Sequence, residues 1–385
     1  MNRMERLTPL LKQFVEKGPA GVACTVVKSG EVLYEGSCGY ADAENRKPIE
    51  GDTIYRIYSM TKPITCTAAL MLYERGLFLL NDPLEQYLPE FGSPMVYRYN
   101  GYGSRMAVPA AGPIRVKDLF AMTSGLTYGG NSTETERQTE AVFKDAVSTM
   151  DMRALSKALA AVPLAFDPGT GWKYGASHDV LAALIEVLSG ETFGEFLRKE
   201  IFEPLGMTDT FFRIPESKRD RLSKLYARAE DGTLTPDTGR DAPFQPGCRH
   251  ESGGGGLLST IGDYTRFAQA LARGGELDGV RILGRKTVQL MATNRLTPQQ
   301  MQQMAEFNPK NKGYGYGLGV RVLVDPAAGG INGTIGEFGW AGMAGSWVLI
   351  DPKEELSVVY MQQLVPPLDG YIQPRLRSVI YGALE

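Results

Sequence analysis

The chain has 385 residues, 43% apolar and 22% charged, the balance of an ordinary globular protein long enough for a large core. A formal charge of −3 with no basic run speaks against nucleic acid as a partner, and no segment reaches the ~18 apolar residues that a membrane span needs. Four scattered cysteines (Cys24, Cys38, Cys66, Cys248) form no Cys-x-x-Cys pair, which argues against a zinc site or disulfide framework and fits a reducing, cytoplasmic compartment.

In chain order, Met1 to Lys17 has helical spacing with Leu7, Leu10, Leu11, Phe14 and Val15 on one face, and lacks the apolar block of a secretory signal. Two β-branched runs, residues 21–27 and 32–34, flank Ser29-Gly30 and read as a hairpin. Tyr58-Ser59-Met60-Thr61-Lys62-Pro63 follows, then an apolar run to Arg75-Gly76, which predicts a core helix with a glycine stop. Pro63 belongs in its first turn, where a missing N–H costs nothing, so the helix starts within a residue or two of Ser59. Residues 92–114, rich in Gly, Pro and Tyr, predict an irregular excursion. Residues 131–160, 180–188 and 193–201 are helical in pattern. Strand patterns return at 317–324, 345–350 and 356–361, a helix closes at 376–384, and the Gln- and Met-rich stretch 298–316 has neither period and predicts a mobile loop.

These patterns give an α+β fold: one antiparallel sheet built from both chain ends and flanked by helices, with a mainly helical insertion. The expected division is 1–85 with 250–385 for the α/β domain, and 86–249 for the inserted helical domain.

Ser59 and Lys62 stand three apart and share a helix face, so hydroxyl and amine can meet. A neutral amine there can take the serine proton, and a helix N-terminus favours the charge that develops. Only two histidines exist, His178 and His250, and no serine stands in a Gly-x-Ser-x-Gly elbow. His178 opens an apolar helix and reads first as a residue lining it. The Gly253–256 run after His250 lacks the Gly-Lys-Ser/Thr ending of a phosphate loop and reads as a tight turn beside the site. What remains is a serine enzyme whose base is not histidine.

Three further stretches complete the pattern: the loop from Phe166 to Tyr174, Met122-Thr123-Ser124-Gly125-Leu126, and Phe338-Gly339-Trp340-Ala341-Gly342-Met343. With Ser59-x-x-Lys62 they resemble the serine β-lactamase and penicillin-binding protein superfamily, and within it the class C β-lactamase-like (family VIII) carboxylesterases. The resemblance spans roughly residues 15–380 and implies the β-lactamase/transpeptidase-like α/β sandwich. By position it implies Ser59 as acylated nucleophile, Lys62 as the amine that helps deprotonate it, and Tyr174 as general base or proton shuttle. Trp340-Ala341-Gly342 occupies the Lys-Thr-Gly place and would contact substrate, and the backbone N–H groups of Ser59 and Met343 would form the oxyanion hole. Two such donors contribute roughly 3 kcal/mol each.

The sequence departs from the penicillin-recognising pattern twice. Gly175-Ala176 follows Tyr174 where an Asn would grip an amide, and Trp340 replaces the lysine that binds a carboxylate. Both changes favour an uncharged ester acyl group against an aromatic wall, and the expected substrate is a small-molecule carboxylic ester of short acyl chain, with no cofactor and no metal implied. A homo-oligomer is left open. The rivals are a β-lactamase or D-amino-acid peptidase with altered motifs, and a catalytically silent binding protein on the same fold.

Overall fold

The structure is a computed structural model that describes residues 3–99 and 105–384. Its centre is an eight-stranded antiparallel sheet. The strands are β1 (Gly21–Lys28), β2 (Glu31–Asp42), β3 (Lys47–Pro48), β4 (Tyr314–Tyr316), β5 (Arg321–Leu323), β6 (Phe338–Ala341), β7 (Trp347–Asp351) and β8 (Leu356–Gln362). They lie side by side in the order β4-β5-β6-β7-β8-β1-β2-β3, so the two chain ends meet where β8 pairs with β1. The β1–β2 hairpin turns through Ser29 (φ 51°) and Gly30 (φ 86°), both left-handed, which matches the twist of the strands they join.

Helices cover both faces. Leu356, Val358 and Tyr360 of β8 pack with α1 (Leu7–Lys17), through Leu7, Leu11 and Phe14, while Val359 and Met361 point to the opposite core. That period of two makes the whole of β8 buried, and each large apolar side chain so covered contributes ~1.5–3 kcal/mol. The opposite core packs α2 (Thr61–Glu74), α3 (Ser177–Ser189) and α4 (Ile261–Ala272). α2 is buried from Thr61 through Leu72, and Gly76 (φ 73°) follows its end.

Two stretches differ from expectation. Residues 298–316 are ordered as α5 (Pro298–Phe307), a short 3-10 turn and β4. The helix starts with a reciprocal cap: Gln300 N–H donates to Thr297 Oγ1 (3.3 Å), Thr297 N–H donates to Gln300 Oε1 (2.9 Å), and Pro298 stands in the first turn. Within 92–114, Met95–Tyr99 pairs antiparallel with Arg105–Pro109, while residues 100–104 lie outside the described residues. The closing helix also starts earlier than its apolar pattern indicates: α6 spans Asp369–Tyr381 with Pro374 inside it.

Candidate active site

The chain reaches the nucleophile position through a two-strand ladder, Ile54–Arg56 against Leu258–Thr260, then a 3-10 turn at Tyr58–Met60 that leads into α2. Ile57 N–H donates to Leu257 O (3.1 Å), Leu257 N–H donates to Thr61 Oγ1 (3.1 Å), and Tyr264 OH donates to Met60 O (2.7 Å). Tyr58 itself is held at φ 42°, a conformation that costs a non-glycine residue ~1–3 kcal/mol. The tertiary frame holds this turn, because no side chain caps it.

Ser59 Oγ accepts from Tyr174 OH at 2.7 Å and from Lys62 Nζ at 3.2 Å. Lys62 is fully buried, and its amine donates to two further oxygens, Tyr128 OH (3.0 Å) and the carbonyl of Gly254. An ammonium has three donors, and three acceptors stand around it. Its charge also lies 4.6 Å from the centre of the Tyr174 ring and 5.2 Å from that of Tyr128.

Tyr174 arrives on the loop that began at Phe166, whose Gly169 and Lys173 amides donate to Thr123 O (2.8 Å) and Met122 O (3.0 Å). The next residue must be glycine, since a Cβ at Gly175 would sit 2.2 Å from Leu126 O. The Met122–Leu126 stretch therefore supports the loop that carries Tyr174. Trp340, near the end of β6, packs on Tyr174 with ring centres 5.4 Å apart, and its indole N–H donates to Tyr174 OH (3.1 Å). Gly342 presses on α2's approach so closely that a Cβ would lie 2.4 Å from Ile57 O.

Ser59, Tyr174, Trp340, Ala341, Gly342 and Met343 all border one cavity of about 740 Å³, and Lys62 reaches Ser59 from the buried side. Phe143, Phe244 and Phe307 make much of the remaining wall apolar. His250 borders the same cavity, and burial pushes its imidazole down from the ordinary range. His178 is fully buried; its Nε2–H donates to Phe120 O (3.2 Å), and Cys66 Sγ lies 3.5 Å from the same nitrogen. Burial pushes its pKa down to about 3, so it is neutral at any ordinary pH.

Two groups at the site, Tyr128 and Asp179, carried no signal in the sequence. Tyr128 touches Lys62. Gly254 offers Lys62 its carbonyl from the Ser252–Gly256 turn, which stands beside the site as the glycine run indicates. Asp179, buried on α3, accepts from Ser252 OH (2.5 Å) and Gly254 N–H (3.2 Å), with Tyr128 OH at 3.5 Å. It fixes the turn and places a negative charge one residue removed from Lys62. Burial first, then the Asp179 charge, holds the Tyr128 phenol well above its ordinary range, so it stays protonated.

A sequence model of the Beta-lactamase family matches residues 7–379. Protein Rv1367c of Mycobacterium tuberculosis is 31% identical over 362 residues, covering 93% of this chain and 89% of its own. Esterase EstB of Burkholderia gladioli is 28% identical, covering 95% and 92%. Among solved structures, EstCE1, described as a hydrolase with promiscuous acyltransferase activity, superposes with a TM-score of 0.83 at 24% identity over 99% of both chains, a likeness of fold.

Proposed function

From the premise that the chain belongs to the beta-lactamase family, we propose that its Ser59 is acylated by carboxylic esters, with Tyr174 and Lys62 managing the protons. The protein is a serine ester hydrolase of the β-lactamase-like kind, in keeping with its similarity to an esterase along nearly the whole chain. The observation that carries the finer reading is Ser59 Oγ at 2.7 Å from one proton-transfer group and 3.2 Å from another, on the wall of an apolar cavity.

The geometry favours Tyr174 as the group that exchanges the proton. Lys62 as an ammonium has all three donors spent on oxygens, whereas the Tyr174 oxygen receives a hydrogen bond from Trp340 and lies nearer to Ser59. In the reactive form the Tyr174 oxygen carries the negative charge, beside the Lys62 cation, and takes the Ser59 proton as Oγ attacks the ester carbonyl. The tetrahedral oxyanion is received by the N–H groups of Ser59 and Met343. Tyr174 then protonates the leaving alcohol, and the same oxygen draws a proton from the attacking water and returns it to Ser59 Oγ as the acyl–oxygen bond breaks and the acid leaves. No charged residue stands at Trp340, so the site suits an acyl group that meets an aromatic wall, short chains included.

The test sets a 4-nitrophenyl butyrate assay beside a chromogenic cephalosporin, for wild type and Ser59→Ala. Ester cleavage that disappears in the variant, with little cephalosporin turnover, is expected. Ester cleavage that survives Ser59→Ala removes the nucleophile, and dominant cephalosporin turnover moves the protein to the penicillin-recognising group.

A further inference from the structure

The cavity wall formed by β5, the turn after α5 and the start of α6 brings three charged side chains to one place: Lys310, Arg321 and Asp369. Lys310 is paired with Asp369. Arg321 is only 5% exposed, and among the described residues no carboxylate stands within ion-pair distance of it; Asp369 and Glu337 pair with Lys310 and Arg377. Among the described residues the Arg321 side chain donates from Nη2 to Gln373 Oε1 (3.0 Å), and its Cζ lies 4.8 Å from the centre of the Tyr314 ring. The nearby Glu337 is held by Arg377, with Tyr381 OH and Tyr314 OH also donating to it. Three cations thus face two carboxylates, and Arg321 is the one left over.

A guanidinium does not shed its proton to relieve this, and burying a charge without a partner is costly. It does, however, present a planar fork of donors suited to a carboxylate. The Nε2 of Gln373, beside it, is a second buried donor with no partner among the described residues. We propose that Arg321 recognises a free carboxylate on the substrate, so that the preferred esters are half-acids: an apolar body with the scissile ester at one place and a carboxylate at another. Trp340 supplies no charge from β6. The neighbouring strand does, from a different direction.

This rests on the esterase reading above, and the experiment separates the two. The ratio of kcat/KM for mono-4-nitrophenyl suberate to that for 4-nitrophenyl octanoate is measured in wild type, Arg321→Gln and Arg321→Lys. Wild type favours the half-acid, the ratio falls at least ~10-fold in Arg321→Gln through KM, and Arg321→Lys recovers part of it. A ratio below one in wild type, or unchanged in Arg321→Gln, overturns the proposal. Binding of suberate monomethyl ester to Ser59→Ala is followed by calorimetry as a readout that needs no turnover. Arg321-dependent binding in a protein that cleaves neither ester would sink the esterase reading and keep the subsite. Ester cleavage with no such binding would do the reverse.

Discussion

Two candidate nucleophiles, Ser59 on the turn that leads into α2 and Cys66 about two turns further on, each lie beside a proton-transfer group, and they have opposite fates. On the front, Ser59 contacts Tyr174 and Lys62 and opens on the cavity. Further along, Cys66 Sγ lies 3.5 Å from His178 Nε2, a distance that would suit thiol catalysis, but that nitrogen spends its proton on Phe120 O. Both members of this second pair are fully buried, and burial pushes the thiol well up and the imidazole down to about 3. Neither carries a charge at neutral pH, and no wall of the cavity touches them. The front pair surrounds its buried cation with three oxygens. Access and a way to hold charge, more than proximity, decide which pair can react.

The largest test of that contrast exchanges the two nucleophiles one at a time. Ser59→Ala should lower kcat/KM on 4-nitrophenyl butyrate at least ~10³-fold, since nucleophile and base act as a unit. Cys66→Ala should leave it within a few-fold, and a thiol reagent should fail to label Cys66 in the folded protein. Labelling of Cys66, or a loss in its variant as deep as that of Ser59→Ala, would undo the distinction. Next in size, Tyr174→Phe should cost ~10²-fold in kcat with a smaller change in KM, the range for a lost general acid–base group.

The Cys66–His178 pair has its own signature in stability. The unfolded histidine titrates near ~6.5, whereas His178 in the folded chain does so at about 3. Between these values the unfolded chain binds the extra proton, so stability rises with pH across the window and is lost as pH falls through it. From pH 7 to pH 5 this one residue should remove ~2 kcal/mol, read from urea unfolding. His178→Gln should flatten that slope, and an unchanged slope would mean that the imidazole is not dry.

Legibility in the sequence followed the range of the interaction. Ser59 and Lys62 lie three apart on one helix, so their meeting could be read from spacing, and the strands of β1, β2, β7 and β8 declared themselves by β-branched runs. α5 was hidden by its Gln-rich composition, although the Thr297-Pro298-x-Gln300 cap was there to be read. The Met95–Tyr99 hairpin was obscured by the Gly and Tyr around it. Tyr128, Asp179 and Arg321 left no local trace, because each acts on a group 51 or more positions away or on a wall built from several elements. A tyrosine after Thr-Ser-Gly-Leu-Thr looks the same whether it faces Lys62 or solvent.

Tyr128 is therefore where the front pair can be probed most finely. Its hydroxyl is one of three acceptors around the Lys62 amine, and it links that amine towards Asp179. Phenylalanine keeps the ring, and with it the face 5.2 Å from the amine and the contact with Tyr174 at 5.6 Å, while removing the oxygen. A lost hydrogen bond to a charged group is worth ~1.5–3 kcal/mol, but the ring remains and Ser59 and Gly254 still accept, so the smaller end applies. Tyr128→Phe should reduce kcat ~10-fold and shift the pH–rate profile, because one of the three oxygens that hold the Lys62 amine is lost. A merely packing tyrosine would leave the profile in place. A reduced rate with an unmoved profile would show that Tyr128 only fills space, and that Lys62 holds its charge by means of Gly254 and Ser59 alone.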